Sequence, residues 1–88
     1  MKTIRFDFSL FTDRRAAHGA MRAALGEYGY EGNNLDALYD ALTSMGDAEI
    51  TLINTKTGRT LIGDYTEKIL RTIIDAVENC GCVTLIIK

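Results

Sequence analysis

The segments of this chain that carry strand patterning never adjoin, because each is separated from the next by residues with helical spacing. Residues Thr3 to Leu10 alternate, with Ile4, Phe6, Phe8 and Leu10 on one face and Arg5, Asp7 and Ser9 on the other. Glu49 to Asn54 is a second such segment, with Ile50, Leu52 and Ile53 turned largely inward. Val83 to Ile87 is a third, nearly all β-branched residues or Leu, and suits a strand covered on both faces. Strands parted by helices favour a parallel sheet with right-handed crossovers. The expected fold is therefore α/β: a small sandwich of three mostly parallel strands packed with about three to four helices, with residues 1–88 as a single domain.

The intervening segments supply those helices. Thr12 or Asp13 can cap a helix from about Arg14 to Leu25, whose stripe is Ala17, Ala20, Met21, Ala24 and Leu25. Gly26 then suits a left-handed terminating residue. His18 reads as an exposed residue opposite that stripe, and Arg14, Arg15 and Arg22 as a solvated face. A Tyr/Gly-rich loop, Tyr28 to Gly32, leads to Asn33 or Asn34 as the cap of a second helix from Leu35 to about Thr43. Asp64 with Glu67 forms a capping-box pattern for a last helix, about Tyr65 to Asn79, with Ile69, Leu70, Ile73, Ile74 and Val77 buried and Gly81 ending it. Thr55 to Gly63 declares no element; it holds a turn signal at Thr57-Gly58 and an apolar pair, Leu61-Ile62.

Charge is unevenly distributed. No Lys or Arg occurs between Arg22 and Lys56, yet Glu27, Glu31, Asp36, Asp40, Asp47 and Glu49 all fall there, so a net charge of −2 hides an acidic and a basic region. Such asymmetry bears on partner choice and encounter rate. At about 100° per residue, Leu35, Leu38 and Leu42 share a core-facing side of the second helix, and Asp36, Tyr39, Asp40 and Thr43 share another. Asp36 and Asp40 stand one turn apart, a like-charge spacing that weakens a helix by roughly 0.2–0.5 kcal/mol. Asp36 recovers part of that cost from the positive end of the helix dipole, whereas Asp40 lies too far along. Fold stability gives no reason for Asp40, which points to a role in binding.

Other function classes find little support. A domain of 88 residues has little core to spare for a deep catalytic cavity. It has one His and no nucleophile motif, and an Asp36/Asp40 pair on a convex helix has nothing to shield a substrate from water. No catalytic residue, cofactor or metal site is expected, and the chain is read as a non-enzyme. The Arg residues lack the interleaved aromatics and basic net charge of a nucleic-acid surface, so no direct nucleic-acid contact is expected. No apolar run approaches the roughly 20 residues that span a bilayer. Cys80 and Cys82 are read as a thiol pair, consistent with reduced thiols in a cytoplasmic protein.

The run Tyr30-Glu31-Gly32-Asn33-Asn34-Leu35-Asp36-Ala37-Leu38-Tyr39-Asp40-Ala41-Leu42-Thr43 resembles the barstar family of intracellular ribonuclease inhibitors, in which a Tyr/Gly loop leads into an Asn-Leu-Asp-Ala-Leu-Trp-Asp helix. The resemblance extends more weakly over the chain's length, element order and final strand. It implies a cytoplasmic, monomeric inhibitor that plugs the active site of a basic, secreted-type ribonuclease as a 1:1 heterodimer. Asp40 matches the aspartate that enters the nuclease phosphate pocket, and Asn34, Leu35, Asp36, Tyr39 and Thr43 match further contact positions. Tyr30 matches a loop tyrosine that packs on the nuclease, next to Gly32, and Asp75 is the acidic contact of the last helix. Tyr39 stands for the family's usual Trp, Ser44 and Met45 for Gly and Trp, and Asn79 where a second acid is expected. Thr55 to Gly63 reads as too short and glycine-broken for the family's third helix. The rival reading keeps the acidic helix as an interaction module for a different basic protein, another toxin or a regulator, without nuclease inhibition. A homodimer through two copies of the acidic face would repel itself.

Overall fold

A computed structural model describes residues 2–26, 30 and 34–88. Strand β1 (Lys2–Asp7) runs through a short 3-10 turn (Phe8–Leu10) into helix α1 (Arg14–Leu25). Helix α2 (Leu35–Ser44), strand β2 (Ala48–Ile53), helices α3 (Thr55–Ile62) and α4 (Asp64–Cys80), and strand β3 (Val83–Ile87) follow. The strands form one sheet in the order β1-β2-β3, both pairs parallel. Ile4, Ile50 and Leu85 stand side by side in register, as do Phe6, Leu52 and Ile87. Ile4, Phe6, Ala48, Ile50 and Leu52 thus share one sheet face, and they join Met21, Leu25, Leu38, Leu42, Ile69 and Ile73 in a single core. Three parallel strands with four helices are the α/β arrangement expected from the segment order.

The structure departs from sequence expectations where local chemistry overrides pattern. The alternation from Thr3 does not continue as strand to Leu10. The Asp7 carboxylate accepts from the Ser9 amide at 3.0 Å and the Ser9 hydroxyl at 2.6 Å, turning the chain, and Leu10 is left 57 % exposed. Gly26 has right-handed helical torsions, so it does not end α1 by a left-handed turn. Strand β3, at the sheet edge beside β2, is not covered on both faces: its residues are half-buried or exposed, Ile87 at 55 %, so its β-branched composition reports strand propensity and not full cover. The capping box at Asp64 does not form. Gly63, at φ 57°, is the N-cap with no side-chain cap bond, and Glu67 pairs instead with Arg59 of α3. Gly81, at φ 71°, ends α4 as expected, with its amide donating to the Val77 carbonyl. Cys80 and Cys82 are joined as a disulfide across it, so the expected thiol pair is absent.

The largest correction concerns Thr55 to Gly63, where Thr55–Ile62 is helix α3 and not a glycine-broken link. Gly58 is buried because α3 crosses directly over Phe8, and a Cβ added at Gly58 would lie 2.9 Å from the Phe8 Cβ and Cδ2 atoms. Asn54 opens the helix in the left-handed region at φ 58°, and its side-chain amide donates to the Asp7 carboxylate at 2.9 Å. That bond, with the two from Ser9, holds the Asp7 pKa below the usual carboxylate value and ties the end of β1 to the start of α3.

Candidate functional site

Helix α2 is positioned by its cap and its apolar side. Asn34 is extended at φ −138°, and its side-chain oxygen accepts from the Ala37 amide at 2.8 Å. Replacing an Asn cap by Ala typically costs about 1 kcal/mol. Asn34→Ala is therefore expected to lower stability by about that amount in denaturant unfolding. A variant as stable as the parent would show that the cap bond contributes nothing to α2. Leu38, Ala41 and Leu42 anchor the helix in the core, and α2 packs chiefly on α4.

The face turned away from the core carries the chemistry. Asp36 and Asp40 are both exposed, and neither carboxylate has an ion pair or hydrogen bond among the described residues. Leu35, Tyr39 and Thr43 are half-buried along the same side, and Asn34 and Ser44 are exposed at its two ends. The Thr43 hydroxyl bonds back to the Tyr39 carbonyl at 2.9 Å, and the Ser44 hydroxyl to the Asp40 carbonyl at 2.6 Å. Both hydroxyls are therefore partly occupied within the helix. From α4, the Asn79 side-chain amide donates to the Tyr39 hydroxyl at 2.6 Å, fixing the ring where α2 meets α4. Asp75, half-buried one turn before Asn79, extends the acidic surface onto α4. The result is an outward face of exposed carboxylates beside one oriented aromatic ring.

Two expected site residues do not join it in the described structure. Gly32 lies outside the described residues, as do Glu27 and Glu31 of the acidic stretch. Tyr30 is buried in the free chain: it is 1 % exposed, with its hydroxyl 2.6 Å from Nδ1 of His18. His18 is likewise not an exposed residue opposite the stripe; it is 2 % exposed, and its Nε2 lies 2.5 Å from the Tyr65 hydroxyl of α4. The signal was present in the spacing. His18 precedes Met21 by three residues and Leu25 by seven, which puts it on the buried side of α1. Its two tyrosine partners, 12 and 47 residues away, carry no local mark of the contact.

A groove of about 510 Å³ lies elsewhere, lined by Thr55, Arg59, Glu67, Leu70, Arg71, Ile74 and Ile87. Ile74 and Asn79 project about 140° apart on α4, so this basic-rimmed groove and the α2 contact occupy different flanks of that helix. No helix among the described residues is long and apolar enough to cross a membrane, and those residues include no cluster of three or more His, Cys, Asp or Glu suited to a metal.

Fold and face together define a class: a three-stranded parallel α/β domain that carries, on the outward side of α2, carboxylates with no ion pair among the described residues. Comparison with known proteins gives that class a family. Residues 1–83 match the family model described as Barstar (barnase inhibitor). A Bacillus subtilis (strain 168) protein named "Putative ribonuclease inhibitor YrdF" is 34% identical over 80 residues, which cover 89% of this chain and 88% of that protein. The chain belongs to the barstar family.

Proposed function

We propose that this protein inhibits a basic, secreted-type ribonuclease by seating the α2 face in its active site, protecting the cell that makes the enzyme. The observation that carries the reading is the state of Asp36 and Asp40: exposed, one turn apart and without a cationic partner among the described residues. A fold that tolerates like charges at that spacing leaves them available to a cation from outside. In the proposed complex the Asp40 carboxylate stands in for an RNA phosphate, taking charge-assisted hydrogen bonds from the Arg and His groups that bind substrate. Asp36 and Asp75 extend the negative field, and Tyr39, held by Asn79, supplies a rigid aromatic anchor of the type that dominates interfaces. Asn34, Leu35, Thr43 and Ser44 complete the rim. The protein acts as a 1:1 partner and performs no catalysis of its own.

The family membership and the name of the Bacillus subtilis relative support ribonuclease inhibition in general. The acidic-helix mode rests on the geometry of α2. The test is co-purification of partners from the native lysate, followed by titration of RNA cleavage at low and high salt. A basic nuclease should be recovered and inhibited, with association slowing steeply as salt is added, because steering between opposite charges is screened beyond about 8–10 Å. Recovery of a basic protein without nuclease activity would favour the regulator reading instead.

A further inference from the structure

The two edges of the sheet are finished differently. In a parallel ladder the peptide groups of alternate residues point toward the same neighbouring strand. The Cys82 carbonyl accepts from the Ala48 amide at 3.3 Å, and the Lys88 amide donates to the Leu52 carbonyl at 2.9 Å, so Thr84 and Ile86 between them also face β2. Val83, Leu85 and Ile87 therefore turn their N–H and C=O groups the other way, where the sheet has no further strand. The opposite edge strand, β1, carries Lys2, Arg5 and Asp7, charges of the kind that keep an edge from pairing. β3 reads Val-Thr-Leu-Ile-Ile and carries none.

This bare edge runs into the groove beside α3 and α4. Leu70 and Ile74 of α4 and Ile87 of β3 form the apolar side of the groove. A second hollow, of about 400 Å³, shares Thr55, Arg59 and Ile87 with it, so the two make one trough past the carboxyl end of β3. Lys56, Arg59, Arg71 and Lys88 line the trough, against a single carboxylate, Glu67, which is already paired with Arg59. Lys56, Arg71 and Lys88 are exposed and make no ion pair among the described residues.

We propose that β3 and this trough receive an extended, acidic segment of a partner protein as a fourth strand of the sheet. In strand addition the main-chain bonds, here to Val83, Leu85 and Ile87, supply affinity, and the alternating side chains supply specificity. Apolar side chains of the segment lie beside Ile87 and Ile74, and its carboxylates meet Lys56, Arg71 and Lys88. A small anion would fill the trough but leave the edge groups of β3 unpaired. A second copy of this chain, pairing through its own uncharged β3, would bring no carboxylate on that strand to the cations. The trough and the α2 contact lie on different flanks of α4, so the proposal goes beyond ribonuclease inhibition and does not rest on it.

The test uses the full chain, with a capped peptide of alternating Glu and Val as the probe and amide hydrogen exchange along β3 as the readout. In the free chain Val83, Leu85 and Ile87 should exchange fast, whereas Thr84, Ile86 and Lys88, bonded to β2, should be protected. The Glu/Val peptide should slow exchange at Val83, Leu85 and Ile87 by at least ~10-fold, and added salt should weaken its binding. The same peptide N-methylated along its bonding edge should bind at least ~10-fold more weakly, the scale of one or two lost hydrogen bonds. A Lys/Val peptide should leave the parent unchanged but protect the three amides in a variant carrying Lys56→Glu and Arg71→Glu. Both of those side chains are exposed, so the fold tolerates the exchange. A Glu/Val peptide that leaves the three amides fast, or one that binds as well when N-methylated, overturns the proposal. Equal protection of the parent by the Lys/Val peptide does the same. Protection that rises with the concentration of this chain alone would put a second copy on the edge, and would overturn it too.

Discussion

Asp40→Ala should weaken binding to the target ribonuclease at least ~30-fold, about 2 kcal/mol, on a hot-spot scale for which the barstar family's own complex is a reference case. The same change should leave the unfolding midpoint unchanged or slightly raised. Both halves follow from the position of the side chain. The carboxylate is exposed and bonds to nothing among the described residues, so the fold loses no contact when it goes. Its removal also relieves repulsion with Asp36 one turn away. In the complex the loss has a second component, because a desolvated cation of the nuclease is left without its counter-charge. The paired measurement is an inhibition constant and a melting curve on one preparation. An inhibition constant equal to that of the parent would remove Asp40 from the centre of the interface.

The second large effect concerns stability, and its direction opposes helix propensity. Gly58→Ala should destabilise the protein by about 1–3 kcal/mol, although alanine in a helix interior normally gains about 1 kcal/mol over glycine. The added Cβ would meet Phe8 at 2.9 Å, and Phe8 has no exposed surface through which to move; it is packed against Phe11 with ring centroids 4.5 Å apart. α3 must then lift from the 3-10 turn, opening the corner that Asp7 and Asn54 close. For a domain of this size each kcal/mol corresponds to a shift of roughly 4–8 °C in Tm, so calorimetry will resolve the effect. A Gly58→Ala protein at least as stable as the parent would mean that the α3–Phe8 contact has slack.

Gly58 also shows why part of the fold could not be read in advance. In one dimension, Thr57-Gly58 is a turn signal, because glycine disfavours helix. The glycine is there for Phe8, fifty residues earlier, and only the folded chain brings the two together. His18 offers the converse case: its spacing from Met21 and Leu25 already placed it inward, but a lone histidine among alanines and arginines reads as surface until Tyr30 and Tyr65 are seen to satisfy both ring nitrogens. The burial of Tyr30 has the same origin. A loop tyrosine that matches a family contact can still be drawn inward when a buried partner meets its hydroxyl.

By itself the sequence determined the order of helices and strands outside Thr55 to Gly63, the parallel sheet, the inward side of α2 and the outward side bearing Asp36 and Asp40. These depend on local spacing and capping, which act within a few residues and survive in one dimension. Tertiary structure alone decided that Thr55 to Ile62 is a helix, that β3 is an edge, that Asn79 orients Tyr39, and that Tyr30 is held inside. Each of those outcomes depends on which atoms fill a shared volume or complete a buried hydrogen bond, and the partners concerned are tens of residues apart or separated by a fold in the chain.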